Sequence, residues 1–185
     1  MSRLTGDEGG EISRRALVIE VPALEPIVAR WRDRPGDRTP RRMPAHLTVM
    51  YPFLNGSEVA TEVRSQLVDL CRRTRAFNVN FASTATFPGV VYLVPSPADE
   101  VRLLTERVIE TWPQLRPYGG IHADIVPHLT LAYTNDDAVV RRIANELEAQ
   151  LPINTRLTEA SVFLFDGTAW RLEISLPFDR SGRMA

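Results

Sequence analysis

Apolar and polar positions recur along this chain with two periods, and the switches between them lay out its elements. RALVIEV (15–21) is a nearly continuous apolar run and reads as a first strand. After Pro22, ALEPIVARWRDR has the spacing of a short helix, broken by Pro35-Gly36-Asp37. HLTVMYPF (46–53) is the next strand, with Pro44 just ahead of it. Between Ser57 and Ala76, Val59, Val63, Leu67, Leu70 and Cys71 fall on one helical stripe. Arg72, Arg73 and Arg75 crowd its end, where the helix dipole favours positive charge. FNVNFASTATF (77–87) and VVYLV (90–94) form two strands joined by Pro-Gly. Ser96 and Pro97 offer an N-cap and a first helical residue for a helix carrying Val101, Leu104, Val108 and Trp112. PYGG (117–120) is a loop and HLTLAY (128–133) a strand, after which Asn135, Asp136 and Asp137 open a helix with Val139, Val140, Ile143 and Leu147. INTRLTEASVFLF and TAWRLEISLPF close the chain as two strands around Asp166-Gly167. In the last, Trp170, Leu172, Ile174 and Leu176 alternate with Arg171, Glu173 and Ser175, as one buried face requires.

Two of these strands begin with nearly the same word. HLTV at His46–Val49 returns as HLTL at His128–Leu131, and the chain has only three histidines. Each word is followed by a helix, a long strand, a turn and a strand. FPGVVYL (87–93) answers FDGTAWRL (165–172) at nearly the spacing that separates the two words. Two copies at so long a period make a duplication rather than a solenoid. A duplicated β-α-β-β unit is expected to pack as two lobes about a pseudo-twofold axis, with the equivalent histidines facing each other across a shared cleft.

In a strand, residues two apart share a face. His46 therefore projects with Thr48, and His128 with Thr130, while Leu47 and Val49 turn to the core. Two imidazoles and two hydroxyls around one cleft suit a tetrahedral anion. Each threonine can donate to a phosphate oxygen. One neutral histidine can take a proton from an attacking hydroxyl or water. The other, charged, can give one to the departing oxygen. No metal or other cofactor is needed for this.

Composition narrows the chemistry further. The chain of 185 residues is 44% apolar and 24% charged, with a formal net charge of −1. That is the profile of a globular domain without a global pull toward nucleic acid or an anionic membrane. All 22 basic residues are arginine. A Walker-type phosphate loop, a Schiff-base enzyme and a ligase that stores AMP on lysine all lack their lysine. Cys71, the one cysteine, can form neither an internal disulfide nor a cysteine metal cage, and it falls on the apolar stripe as a core residue. Without a signal-like or membrane-spanning run, the expected location is the cytoplasm. Residues 1–13 are polar and glycine-rich and expected to be disordered. Residues 14–178 are expected to form a single bilobal domain, and 179–185 a tail.

The chain resembles the 2H phosphoesterase superfamily, in its bacterial 2′-5′ RNA ligase and cyclic phosphodiesterase branch. The resemblance rests on HLTV and HLTL with their separation, on FPG before VYL, and on PYGG ahead of the second word, and it covers roughly residues 15–178. It implies a bilobal α+β fold with antiparallel sheets lining the cleft. It also implies metal-free opening of 2′,3′-cyclic phosphates to 2′-phosphates, with RNA ends or cyclic nucleotides as substrates, and reversible 2′-5′ ligation without ATP. His46 and His128 would be the catalytic pair and Thr48 and Thr130 the phosphate-binding pair. No obligate protein partner is implied. A nucleotide or RNA-end binding module with little catalysis is the alternative reading.

Other residues compete for roles. The stretch 30–42 carries six arginines against two aspartates. It reads either as a solvated loop or as a basic loop gripping RNA phosphates, with Arg41 and Arg42 the candidates for substrate contact. His122, Asp124 and His128 could be offered as a metal set, but their spacing matches no standard pattern and His122 reads as a surface histidine. Phe53, Tyr92 and Tyr118 could stack on a base, although core packing explains them as well. Tyr51 and Tyr133, five residues after each histidine, fall on the Leu47 face and are expected in the core.

Overall fold

The computed structural model describes residues 14–32, 43–54, 59–120 and 125–179. β1 (Arg14–Glu20) is buried on both faces over Arg15–Ile19, as its continuous apolar pattern requires. α1 (Glu25–Arg32) follows a 3-10 turn at Pro22–Leu24 and buries Val28 and Trp31. Arg30, counted above with the basic stretch, sits on this helix and pairs with Glu146 at 2.9 Å. Then come β2 (His46–Phe53), α2 (Thr61–Arg72), β3 (Phe77–Phe87), β4 (Val90–Ser96) and α3 (Asp99–Thr111). β5 (Leu129–Tyr133), α4 (Asp137–Glu148), β6 (Ile153–Leu157), β7 (Glu159–Phe165) and β8 (Trp170–Pro177) complete the order. Asp136 caps α4, its carboxylate accepting the Ala138 amide at 2.8 Å.

Ser96 is not a helix cap. It stays in β4, paired with Asn80, and α3 starts at Asp99, where Asp99 and Glu100 supply the negative charge that the first turn favours. INTRLTEASVFLF is two strands, parted at Thr158. The period of two runs on through that break because both pieces are strands. Only their partners differ.

The partners define the architecture. Among the described residues, eight strands make two four-stranded antiparallel sheets, ordered β2-β1-β7-β8 and β5-β4-β3-β6. Each sheet carries one HLT strand at its edge. The β7–β8 hairpin, which follows the second HLT word in sequence, joins the sheet of the first, and β3–β4 joins β5. Helices exchange too, with α1 packed on β5 and α3 on β2. The two halves therefore interlock over one core, in which Leu17, Ile19, Leu47, Leu67, Phe81, Leu93, Leu104 and Leu131 are all inaccessible to solvent. A second, smaller cluster of Ala16, Val18, Met43, Phe163 and Trp170 covers the opposite face of the first sheet. The fold is α+β, with two antiparallel sheets and four α-helices among the described residues.

Candidate active site

β2 pairs with β1 through Glu20↔His46 and Val18↔Thr48, and β5 pairs with β4 through Leu93↔Leu129 and Tyr92↔Thr130. Leu47 and Leu129 are locked in the core, so His46, Thr48 and Thr130 are held half-buried on the other face. His128 sits just ahead of β5, half-buried as well. One cleft of about 170 Å³ is lined by all four residues. The sequence words thus converge in space.

The two imidazoles are oriented in the same way. His46 Nδ1 lies 2.7 Å from the Pro44 carbonyl oxygen, and His128 Nδ1 lies 2.8 Å from that of Val126. A carbonyl can only accept, so each Nδ1 donates and keeps its proton. Nε2 is then the ring nitrogen whose proton comes and goes, in both residues alike. With a threonine hydroxyl two positions along each strand, the cleft holds two acid/base nitrogens and two small donors.

Tyr51 and Tyr133 are not core residues. Both line the cleft, and Tyr133 is 40% exposed. Alternation fails because each strand carries a β-bulge directly after its His-x-Thr word. Thr48 faces Val18 and Met50 faces Leu17, which leaves Val49 as an extra residue in β2. Thr130 faces Tyr92 and Ala132 faces Val91, which leaves Leu131 extra in β5. A bulge shifts the side-chain parity by one. Val49 and Met50 are both buried, as are Leu131 and Ala132, and the tyrosine that follows swings to the histidine face. The bulge in β2 is held from outside the sheet. Thr105 of α3, itself fully buried, has its hydroxyl 3.1 Å from the Val49 carbonyl and 3.0 Å from the Val101 carbonyl of its own helix, so its one proton is shared between them.

Tyr118 also lines the cleft rather than the core, whereas Phe53 is fully buried against Trp112. Tyr92 is buried and bridges the two roles, stacking on Phe87 while its ring lies 5.4 Å from that of His128. His128 is surrounded by rings, with Phe87 at 5.2 Å and Tyr118 at 6.2 Å between centroids. His46 has a polar support instead. The Glu25 carboxylate accepts the Ala45 amide at 2.5 Å, and the Ala45 carbonyl accepts from Val21 at 2.7 Å. At the position equivalent to Ala45 the second word has Pro127, which has no amide hydrogen to anchor. The rest of the lining is largely apolar, with Ala16, Met43 and Trp170 packed with Tyr51, and Val28 of α1 also on the wall.

A sequence profile described as the 2′-5′ RNA ligase superfamily matches residues 20–169. The chain belongs to that superfamily. Its fold is similar to that of E. coli LigT complexed with 3′-AMP, with a TM-score of 0.58 at 19% identity over 92% of this chain and 100% of that one. LigT complexed with NADP+ gives a TM-score of 0.58 at 18% identity with the same coverage. The protein TT0787 of Thermus thermophilus gives 0.62 at 16% identity, over 91% of this chain and 99% of that one. No curated protein matches the sequence.

Within this 2′-5′ RNA ligase superfamily member, Arg41, Arg42, His122 and Asp124 lie outside the described residues. Among the described residues no group of three His, Cys, Asp or Glu side chains is placed to hold a metal ion. No described helix is long and apolar enough to cross a membrane. Cys71 is 1% exposed, and burial pushes its thiol up to about 12, which leaves it protonated and inert.

Proposed function

We propose that this protein is a metal-independent phosphoesterase that opens 2′,3′-cyclic phosphates, on RNA ends or nucleotides, to 2′-phosphates. The observation that carries the reading is the paired tautomer. Both Nδ1 atoms donate to backbone carbonyls, so Nε2 is the nitrogen of each ring that can exchange a proton, and both rings line one cleft, each with a threonine of its own strand.

One neutral imidazole takes a proton from water as its oxygen attacks phosphorus. The P–O3′ bond breaks, and the 3′-oxygen takes a proton from the other, charged imidazole. Thr48 and Thr130 donate to the non-bridging oxygens, and the imidazolium balances the single charge of the diester. Where an RNA 5′-hydroxyl replaces water, the same step forms a 2′-5′ linkage. In the reverse direction the two histidines exchange roles. Either can then be base or acid.

The apolar part of the lining, with Tyr51 and Trp170, offers a surface to the nucleoside. E. coli LigT, similar in fold, has been crystallised with 3′-AMP and with NADP+, which supports a nucleotide as ligand here too. Incubation with a 2′,3′-cyclic mononucleotide in EDTA, followed by 31P NMR, tests the reading. A 2′-phosphate product is expected. A 3′-phosphate, or turnover only after a divalent metal is added, would contradict it. Binding without turnover would favour the binding-module alternative.

A further inference from the structure

Tyr118 touches both words of the duplicated motif. Its phenol is hydrogen-bonded to the Thr48 side chain, while its ring lies nearly parallel to that of His128, at 25°. It belongs to the turn at Pro117–Gly120, upstream of the second word, and that turn packs against β2. The position is a costly one for such a residue. Tyr118 has φ 53°, and Gly119 and Gly120 follow at 67° and 79°. In this left-handed region a side chain crowds the backbone, and glycine or asparagine is the unstrained choice. The two glycines obey that rule and Tyr118 breaks it. A bulky residue kept in sparsely populated backbone geometry points to a use for its side chain.

That use follows from what a hydroxyl can do. Thr48 has one proton to give and lone pairs to receive. To donate to a phosphate oxygen it must aim its proton into the cleft, and an incoming hydrogen bond at its oxygen favours that orientation. Burial, the larger effect, raises the Tyr118 phenol and keeps its proton in place, while the bond to Thr48 lowers it, as a bond received by its oxygen does. When Thr48 turns its own proton to an anion, the Tyr118 hydroxyl can donate to it in return. Thr130, the equivalent threonine, has no hydrogen bond of this kind among the described residues.

We infer that Tyr118 is a positioning residue for the phosphate site, its hydroxyl donating to Thr48 so that Thr48 donates to the anion. The two donors then act in series and strengthen one another. The relay makes the pocket unequal, with Thr48 the stronger anion donor. It rests on the phosphoester reading of the same cleft.

The test is a double-mutant cycle of wild type, Tyr118→Phe, Thr48→Val and the pair. Phenylalanine keeps the ring, the stack on His128 and the backbone strain, and removes only the hydroxyl. Tyr118→Phe is expected to lower kcat/KM on a 2′,3′-cyclic mononucleotide by about tenfold. Added to Thr48→Val it should cost nothing more, since its effect passes through the missing hydroxyl. The same four proteins are titrated with inorganic phosphate, read from the histidine resonances by NMR, and the same non-additivity is expected in the affinity. This second arm stands if the substrate class is wrong, so the two failures can be told apart. Equal losses from Tyr118→Phe with and without Thr48 would overturn the relay, as would no loss at all. A wild type that neither turns over nor binds phosphate would overturn it together with the reading it rests on.

Discussion

Glu25, in the first turn of α1, accepts the amide of Ala45 at 2.5 Å, one residue ahead of His46. Ala45 follows Pro44, whose carbonyl holds the His46 ring by Nδ1. The carboxylate thus supports the backbone that sets the tautomer of one histidine. Glu25→Ala is expected to slow turnover by about tenfold or more through misorientation of His46, as loss of an outer hydrogen-bond partner does at other organised sites. The matching readout is the His46 Nε2 and Nδ1 chemical shifts, which should move while those of His128 stay. Unchanged His46 shifts would show that Glu25 serves the fold alone.

Thr105 offers a test of the bulge. Its buried hydroxyl lies within hydrogen-bond reach of the Val49 carbonyl at 3.1 Å and of the Val101 carbonyl of its own helix at 3.0 Å. Thr105→Val keeps the volume and, where the hydroxyl proton goes to Val49, takes away that carbonyl's donor from α3, at a cost of about 1–3 kcal/mol. Thermal unfolding should show a fall in Tm of several degrees. An unchanged Tm would mean that another group takes over the carbonyl.

Much of this fold can be read in the sequence because burial imposes its period on the chain. Leu47 and Val49 are buried as the alternation of HLTV requires, and Ile143 and Leu147 are buried as the helical stripe of α4 requires. The convergence of His46, Thr48, His128 and Thr130 follows from two nearly identical words in equivalent places of a duplication. Sheet partners are another matter. Nothing in INTRLTEASVFLF marks Thr158 as the point where the chain leaves one sheet for the other, since both pieces alternate alike. Parity after the bulges is hidden for a similar reason. Val49-Met50 and Leu131-Ala132 are apolar pairs, and only the ladder tells which residue is extra. Tyr118 did leave a trace, a large residue ahead of two glycines, but its meaning depends on φ.

The apolar lining of the cleft makes a prediction about affinity. Tyr51 and Trp170 meet edge to face at 6.0 Å in the lining of the cleft. Trp170→Ala should raise KM for a cyclic mononucleotide, by about tenfold if one base-stacking contact is lost, and leave the affinity for inorganic phosphate unchanged. Equal losses for both ligands would place the effect in the fold rather than in recognition of the nucleoside.

Cys71 is expected to be silent. A thiol raised to about 12 by burial presents almost no thiolate near neutral pH. Alkylation at about pH 8 should therefore follow unfolding of the protein, without touching turnover while it is folded. Fast labelling of the folded protein would contradict its place in the core.

The central claim is the paired-histidine mechanism, and one measurement tests it most directly. The initial rate of opening of a 2′,3′-cyclic-phosphate-terminated oligonucleotide is followed in EDTA, from about pH 5 to about pH 9, for wild type, His46→Ala and His128→Ala. The wild type should give a bell, falling in acid as the base is protonated and in alkali as the acid loses its proton. Each substitution should cut the rate by about 10²–10⁴. A wild-type rate that EDTA abolishes, or that either substitution leaves intact, would contradict the account.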